Sequence, residues 1–311
     1  MREILVFGGG RMGISHASMA GLLDPEHTVV IIEPNLKTRL VLKCITGRKF
    51  RIRSKLTKKL AQRATHAIIA TPPGIHEQNV KALVDFCFTG RLLVEKPISV
   101  DSTFLDKFDY LASGYVLKKS YFWTRLIQDL GNEKIVSAKI TLETNQDFAS
   151  GGDNWRLSKQ TPGLNLINEF GSHCTNLMVT LLGALDLKIA EASHNSVILQ
   201  TQSQPIGLIH LKAASSAVRK SIYTVEVETE ERVFETDFYT YSVFAKNGSP
   251  VMTTSVAREG VNTSAYLRGY EFSRQMEEFL SAPEGSQEEM HFALVTDQVL
   301  KSIEEALSCQ N

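Results

Sequence analysis

A glycine-rich turn close to the N-terminus constrains the fold of this chain more than any other feature. The apolar run Glu3–Phe7 has the length of a buried strand, and Gly8-Gly9-Gly10-Arg11-Met12-Gly13 follows it directly, before a helical pattern over residues 14–23. This is G-x-G-x-x-G between a strand and a helix, the context in which the motif predicts a dinucleotide-binding turn. Gly8 permits the tight turn, Gly10 lets a pyrophosphate approach the backbone, and Gly13 allows close packing of helix on strand.

An acidic residue stands where such a turn needs one. The second apolar run, Thr28–Ile32, ends in Glu33, twenty residues after Gly13. A carboxylate at that place can accept hydrogen bonds from the adenosine ribose hydroxyls and would repel a 2′-phosphate. We therefore expect NAD as the cofactor. NADP stays open, because Lys37 or Arg39 could partly offset the charge of the carboxylate.

Further strand and helix patterns alternate up to about residue 121. We predict strands over 67–70, 91–94 and 115–121, and helices over 75–89 and 101–113, the second capped by Asp101. This alternation predicts a doubly wound parallel sheet with right-handed crossovers, in which ligands bind at the carboxyl ends of the strands. Four segments end strands in this way and should converge on one crevice: residues 8–13, Glu33, 71–74 and 95–97.

Three strand-end signatures occur in order, GGGRMG, TPPGIH and EKP, followed by Asn154-Trp155-Arg156 and Glu169-Phe170-Gly171-Ser172-His173. Together they resemble the glucose-fructose oxidoreductase/inositol dehydrogenase/rhizopine catabolism family, written Gfo/Idh/MocA. The resemblance extends over nearly the whole chain, and EKP and the element at 169–173 are its specific parts. It implies an NAD(P)-dependent oxidoreductase acting on sugars, cyclitols or their nucleotide-linked derivatives.

The resemblance also implies a Rossmann domain joined to an α+β domain with a large, mostly antiparallel sheet. The second half agrees, since strand patterns cover 135–144, 189–200, 207–213, 221–228 and 232–238, and amphipathic helices cover 268–280 and 291–307. We predict an α/β protein with a dinucleotide-binding domain over residues 1–122. Residues 123–311 would form the domain for substrate binding and oligomerisation, with the last helix packing back on the Rossmann domain.

Three residues are candidates for catalysis. His173 is the natural general base because an unperturbed histidine has a pKa of about 6.5. Lys96 supplies an ammonium group that can hold the reacting oxygen, and Glu169, four residues before His173, can share a substrate hydroxyl. In the family the positions that match these three have the substrate and proton-transfer roles, and the one that matches Glu95 is associated with the cofactor.

The remaining candidates bind ligands. Cofactor contacts are predicted for Gly8, Gly10, Arg11, Met12, Gly13, Glu33, Thr71, Pro72, His76 and Glu95. Substrate contacts are predicted for Trp155, Arg156 and Arg125. No metal site is expected, since the four cysteines form no CxxC pair and no histidine stands at a ligand spacing from them.

The chain departs from the family pattern at three places. Glu169 replaces the usual Asp, Thr161-Pro162-Gly163 replaces a glycine triplet, and Asn176 stands where an Asp is common. These changes leave the substrate and the rate open. The alternative to an enzyme is a dinucleotide-binding sensor of the same fold with little turnover. A third hypothesis is an enzyme that reduces a non-sugar carbonyl or a conjugated pigment. Retention of the lysine, glutamate and histidine favours the enzyme.

The charge balance and the hydropathy of the chain disfavour two classes of binding partner, nucleic acids and membranes. The 34 basic and 34 acidic residues balance, which argues against a globally cationic nucleic-acid binder, and no apolar run is long enough for a membrane helix. With no secretory signal and scattered cysteines, we expect a cytoplasmic protein that binds a small-molecule substrate and forms a homo-oligomer through its C-terminal sheet.

The zero net charge conceals an uneven distribution. Residues 37–63 contain eleven Lys or Arg and no Asp or Glu, whereas the other 284 residues contain 23 basic and 34 acidic groups. A solvated basic face is the simplest interpretation. Contact with the cofactor, an acidic partner or another subunit stays open.

Overall fold

The computed structural model describes residues 2–144, 166–183, 186–193, 196–213, 222–237, 240–255, 270–281 and 287–308. The chain divides into two compact units. The first comprises Met1–Lys119 and Gly260–Leu294, and the second comprises Ser120–Glu259 and Val295–Asn311. The first contains a parallel sheet and the second a mostly antiparallel one, so the predicted fold class is confirmed.

Each unit has its own set of strands. In the first unit they are β1 (Glu3–Phe7), β2 (Thr28–Ile32), β3 (Arg51–Arg53), β4 (Ala64–Ile69), β5 (Arg91–Val94) and β6 (Tyr110–Ser113). In the second they are β7 (Ile135–Thr144), β8 (Leu187–Ala192), β9 (Ser196–Thr201), β10 (Ile206–Ala213), β11 (Ile222–Thr229), β12 (Arg232–Thr236), β13 (Thr240–Ala245) and β14 (Pro250–Ser255).

The α-helices are α1 (Arg11–Leu23), α2 (Leu36–Thr46), α3 (Lys58–Arg63), α4 (His76–Asp85), α5 (Ser102–Leu105), α6 (Tyr121–Leu130), α7 (Ser172–Leu182), α8 (Tyr270–Ser281) and α9 (Gln287–Ser308). Short 3₁₀ turns occupy Pro73–Ile75 and Val116–Lys119, and a π-helical turn occupies Ile167–Gly171, directly before α7. Among the described residues, no helix has both the length and the apolarity needed to cross a membrane.

The parallel sheet has the strand order β3-β2-β1-β4-β5-β6. The direction in which successive strands are added reverses between β1 and β4, so a crevice opens at the carboxyl ends of these two strands. Both faces of the sheet are buried. Ile4 and Val6 face one apolar layer, which includes Phe279 of α8, and Leu5 faces the other, which includes Met290 of α9. Burial on both sides explains why these strands are continuously apolar.

The second sheet has the order β14-β13-β12-β11-β7-β10-β9-β8, and only its β7–β10 pair is parallel. Alternation along β7 buries Ala138, Ile140 and Leu142 and leaves Lys139 exposed. The buried face is covered in part by α6, whose Phe122 ring stacks on Tyr241 of β13 with ring centroids 6.2 Å apart. The opposite face contains the exposed charged residues.

The predicted elements over 101–121 are wrong. Asp101 does cap a helix, since its carboxylate accepts the Thr103 N–H at 2.9 Å, but α5 ends at Leu105. Residues 110–113 instead form β6, paired in parallel with β5, and residues 116–119 form a 3₁₀ turn rather than a strand. Pairing with the edge of an existing sheet outweighs local helix propensity here.

The strands of the second unit also differ from the prediction in two places. The single strand predicted over 189–200 is the antiparallel pair β8 and β9. Strands β13 and β14 were not predicted. Ser and Thr residues dilute the apolar alternation in both, and β14 lies at the edge of the sheet, where only one neighbour stabilises it.

Candidate active site

Backbone hydrogen bonds align the strand ends of the first unit side by side. In four places the residue that follows a strand donates its N–H to the carbonyl oxygen of the last residue of the adjacent strand. The pairs are Gly8 to Ile32, 2.9 Å; Ala70 to Phe7, 2.9 Å; Glu95 to Ile69, 2.9 Å; and Gly114 to Val94, 2.7 Å. The segments that the sequence predicts to converge therefore lie along one edge of the parallel sheet.

The glycine turn is tightly packed at Gly8 and Gly13 and open at Gly10. Gly8 has φ +99°, and a Cβ added there would lie 2.7 Å from the Ala70 carbonyl oxygen. A Cβ added at Gly13 would lie 1.9 Å from the Gly8 oxygen, so the helix approaches the turn as closely as backbone allows. By contrast, a Cβ at Gly10 would meet no heavy atom within 4 Å. The open space above Gly10, at the N-terminus of α1, fits a pyrophosphate.

The residues that follow Gly10 open the helix. Arg11 is exposed and Met12 is half-buried at the start of α1. They are the first two residues of the helix after Gly10, whereas Gly13 is buried one position further on.

Glu33 is turned towards the glycine loop. Its carboxylate accepts the Gly9 N–H at 2.8 Å and the Asn35 N–H at 2.7 Å. A carboxylate has about four acceptor sites, so two are left for hydroxyl donors. Arg39 binds the carbonyl oxygens of Glu33 and Pro34, at 3.0 and 2.6 Å, rather than the carboxylate.

His76 connects two of the strand-end loops. The ring is fully buried, with Nε2 2.7 Å from the Thr71 carbonyl oxygen and Nδ1 3.0 Å from that of Pro97. Both nitrogens face carbonyl acceptors, so the ring ties the loop after β4 to the loop after β5. Pro72, next to Thr71, is exposed at the same edge.

Glu95 is a buried carboxylate with defined partners. Its Oε1 lies 2.6 Å from His16 Nε2, and its Oε2 accepts the Lys96 N–H at 3.3 Å. Burial acts to raise the pKa of Glu95, but the His16 hydrogen bond and the positive charges of His16 and Lys96 outweigh it and hold the pKa below its usual value. Glu95 is therefore ionised at neutral pH.

Lys96 follows Glu95 at the end of β5 and is half-buried, and its peptide bond to Pro97 is cis. Gly114, at the end of β6, packs directly behind this pair. A Cβ added at Gly114 would lie 2.7 Å from Glu95 Cα and 2.8 Å from Lys96 N. The backbone of the EKP segment is thus enclosed on the β6 side.

His16 is the residue of this edge that the sequence analysis missed. It lies on α1, three residues after Gly13, and only 2% of it is exposed. The available signal was a histidine on a helix whose neighbours Ala17, Met19 and Ala20 are small or apolar and buried. A polar group on such a face needs a partner, which the sequence alone does not name.

The other catalytic candidates belong to the second unit. His173 is half-buried and is the second residue of α7, directly after the π-helical turn that contains Glu169. Single π-helical turns occur frequently at functional sites. The side chain of Glu169 lies outside the described residues, as do Trp155, Arg156 and the segment 161–163. Asn176 is buried and donates to Thr296 Oγ1 at 2.9 Å.

Arg125 lies on the exposed side of α6. Its Nε donates to Asp129 Oδ2 at 2.8 Å, a hydrogen bond that raises the pKa of the guanidinium group. The same carboxylate oxygen accepts the Tyr241 hydroxyl at 2.9 Å. Within the parts of the chain that the structure describes, no group of three or more His, Cys, Asp or Glu side chains is arranged to hold a metal ion.

No protein-family model and no curated protein matches the chain. Solved structures match over almost the full length of both chains. Levoglucosan dehydrogenase in complex with NADH and levoglucosan has a TM-score of 0.76 at 14% identity, over 100% of this chain and 98% of that one. The chain has the fold of the NAD-binding Gfo/Idh/MocA-type oxidoreductases.

Two further structures agree with this assignment. An oxidoreductase from Agrobacterium radiobacter in complex with NAD⁺, L-tartaric acid and magnesium has a TM-score of 0.72 at 11% identity, over 100% of this chain and 97% of that one. UDP-N-acetylglucosamine 3-dehydrogenase from Acidithiobacillus ferrooxidans has a TM-score of 0.68 at 15% identity, over 99% and 97% of the two chains. The predicted Gfo/Idh/MocA resemblance is confirmed as a shared fold.

Proposed function

We propose that this protein is an NAD-dependent oxidoreductase. It would transfer a hydride between nicotinamide and a secondary alcohol or ketone of a sugar, a cyclitol or a nucleotide-linked sugar. The observation that supports this most strongly is the open glycine turn beside Glu33, on the same sheet edge as Glu95 and Lys96. Solved proteins of this fold contain NAD⁺ or NADH, and one of them also contains levoglucosan.

The residues of the sheet edge fit a dinucleotide. The backbone at Gly8, Gly10 and Gly13 and the start of α1 would bind the pyrophosphate, and the free acceptor sites of Glu33 would bind the ribose hydroxyls. The other proposed contacts are Arg11, Met12, Thr71, Pro72, His76 through the loop it holds, and Glu95. When bound, the nicotinamide supplies the hydride acceptor or donor.

Lys96, His173 and Glu169 would then act on the substrate. An imidazole nitrogen of His173 accepts the hydroxyl proton as the alcohol is oxidised, and returns it in the reverse direction. The Lys96 ammonium group donates to the reacting oxygen and stabilises its developing negative charge. Glu169 accepts a hydrogen bond from a substrate hydroxyl, and Trp155, Arg156 and Arg125 line the substrate pocket.

Glu33 supports a preference for NAD. Two backbone amides hold its carboxylate at the end of β2, so it could not turn away from a 2′-phosphate without giving up both hydrogen bonds. NADP is the alternative cofactor, and the ratio of NADH to NADPH dissociation constants tests this choice.

The proposed assembly and location rest on the second unit and on the composition. We propose that residues 1–122 bind the dinucleotide and that residues 123–311 bind the substrate and form a homo-oligomer. The exposed face of the antiparallel sheet, with Lys139, Glu226 and Glu235, would form the subunit contact. The proposed partners are thus a small-molecule substrate and further copies of the chain, with no nucleic acid or membrane, in the cytoplasm.

The decisive experiment is anaerobic mixing with NAD⁺ and a panel of sugars, cyclitols and nucleotide sugars, followed at the NADH absorbance. Lys96→Ala and His173→Ala should each lower kcat/KM about 100-fold or more. The exposed Lys107→Ala and His291→Ala are matched controls that should act as the parent protein does. Normal rates in both active-site variants would overturn the mechanism. Cofactor binding without turnover across the panel would instead support a dinucleotide-binding sensor.

A further inference from the structure

A buried chain of hydrogen bonds connects the helix after the glycine turn to the lysine at the end of β5. It begins at His16 on α1, continues through the Glu95 carboxylate, and ends at the backbone N–H of Lys96. The His16 ring is 2% exposed and Glu95 is 7% exposed, so both groups are largely shielded from solvent. The two residues are 79 positions apart in the chain.

The geometry leaves Glu95 little freedom. One carboxylate oxygen faces the His16 imidazole and the other faces the Lys96 amide, while Gly114 closes the space beside the Glu95 backbone. The His16 ring is itself enclosed, with the Phe272 ring of α8 at a centroid distance of 6.4 Å. A carboxylate held at both oxygens fixes the backbone to which it is bonded, and here that backbone belongs to Lys96.

We propose that His16 is a positioning residue: it holds the Glu95 carboxylate, which in turn orients the backbone of Lys96 at the carboxyl edge of the sheet. The role assigned to Lys96 rests on the proposed function, whereas the link between the three residues does not. Because Oε1 of an ionised carboxylate only accepts, His16 Nε2 bears the proton and donates. Among the described residues, the charged groups that act on Glu95 are His16 from α1 and Lys96 from its own segment.

Three variants test the link. His16→Leu removes the donor at similar volume, and His16→Gln keeps an N–H donor that does not titrate. Ser15→Ala is the matched control, because Ser15 is buried on the same helix but donates only to the Arg11 carbonyl within that helix, at 2.8 Å.

The first measurement requires neither cofactor nor substrate. In protein labelled with ¹⁵N-lysine, the Lys96 amide is assigned by its absence in Lys96→Arg and followed through an acid pH titration. In the parent protein, His16→Gln and Ser15→Ala, the midpoint should lie below the usual range for a glutamate. In His16→Leu it should move up by about one pH unit or more, because burial then acts on Glu95 without its opposing partner. An unchanged midpoint in His16→Leu would overturn the proposal.

The second measurement tests the consequence for the site. His16→Leu should lower kcat about tenfold and shift the acid limb of the kcat profile to higher pH, with substantial rescue in His16→Gln. If the midpoint of the Lys96 amide moves in His16→Leu but the parent protein binds no NADH, the link is retained and the proposed function is rejected. If the parent protein binds NADH and turns over substrate, but His16→Leu changes neither the midpoint nor the pH profile, the proposed function is retained and the link is rejected.

Discussion

The two ends of the parallel sheet each bury a carboxylate, but they neutralise it differently. At the amino end, Glu3 is 1% exposed and its Oε1 lies 2.5 Å from Arg51 Nη1 of β3. At the carboxyl end, Glu95 is bound by His16 and by a backbone amide. A guanidinium group keeps its charge at all relevant pH values, whereas an imidazole does not. The amino end thus pairs its carboxylate with a permanent cation, whereas the carboxyl end uses an imidazole and a backbone amide.

Two buried histidines, one at each end, show the same contrast. His16 faces a carboxylate, whereas His66 of β4 lies among cations and rings. Burial, followed by repulsion from Arg91 and His27, lowers the pKa of His66 to about 4. Its ring packs edge-on against Phe279, with centroids 5.2 Å apart. The same residue type is a partner for charge at one end of the sheet and a neutral packing group at the other.

The largest effect is expected at the glycine turn. Gly13→Ala places a Cβ 1.9 Å from the Gly8 carbonyl oxygen, so the helix and the turn must separate. We expect a loss of at least about 3 kcal/mol in the free energy of unfolding, measured by urea denaturation.

Gly10→Ala is the matched control at the same turn. Gly10 has φ −76°, which alanine adopts without strain, and no heavy atom lies within 4 Å of the added Cβ. This variant should fold with near-normal stability but bind NADH at least about tenfold more weakly, because the methyl group occupies the space proposed for the pyrophosphate. Normal NADH affinity in Gly10→Ala would contradict that placement.

At the amino end, Arg51→Gln should reduce stability and leave cofactor binding intact. The substitution leaves a buried Glu3 carboxylate without its cation, at an expected cost of about 2 kcal/mol, since Arg51 is itself 40% exposed. Urea denaturation and NADH titration measure the two effects separately. The double variant Glu3→Gln, Arg51→Gln should recover part of the stability. A loss of NADH affinity in Arg51→Gln would break the distinction between the two ends.

His66 should make the protein sensitive to mild acid. Its pKa of about 4 lies below the value of 6.5 for an unperturbed histidine, so the unfolded chain binds the proton more tightly. His66 therefore does not reduce the free energy of unfolding above about pH 6.5, and reduces it progressively as the pH falls towards 4. We expect a total loss of about 2 kcal/mol in the free energy of unfolding, below the full linkage value because the neighbouring charges are partly solvated.

The matched test for His66 uses two variants. His66→Gln should flatten the dependence of the unfolding free energy on pH between 6.5 and 4. His291→Gln, which removes an exposed histidine of α9, should retain the full dependence. Equal slopes in the two variants would show that His66 is not the source.

The smallest effect is expected in the second unit. Arg125 is exposed and its only described ion-pair partner is Asp129, four residues along the same helix. Arg125→Ala should leave the melting temperature unchanged, because exposed pairs of this kind contribute little. If Arg125 also lines the substrate pocket, KM should rise several-fold while kcat is retained.

Much of the carboxyl edge of the parallel sheet was predictable because its signals are local. Strand β1, the glycine turn and the start of α1 are contiguous, and Glu33 and Glu95 follow directly from apolar strands. Strand β6 was missed for the opposite reason: residues 110–113 become a strand only by pairing with β5. The division of 189–200 into β8 and β9 likewise depends on hairpin pairing.

Residues 3–13 and Glu33 therefore predict a strand, a tight glycine turn and a helix without reference to any distant part of the chain, since glycine conformation and strand composition act locally. The tertiary structure alone brings His16 to Glu95, from α1 to the end of β5, and ties His76 to the loop after β5. It also buries both faces of the parallel sheet under C-terminal helices. Hydrogen-bond partners and pKa values depend on which groups the fold brings together in its interior. No local sequence pattern specifies such contacts between residues that are far apart in the chain.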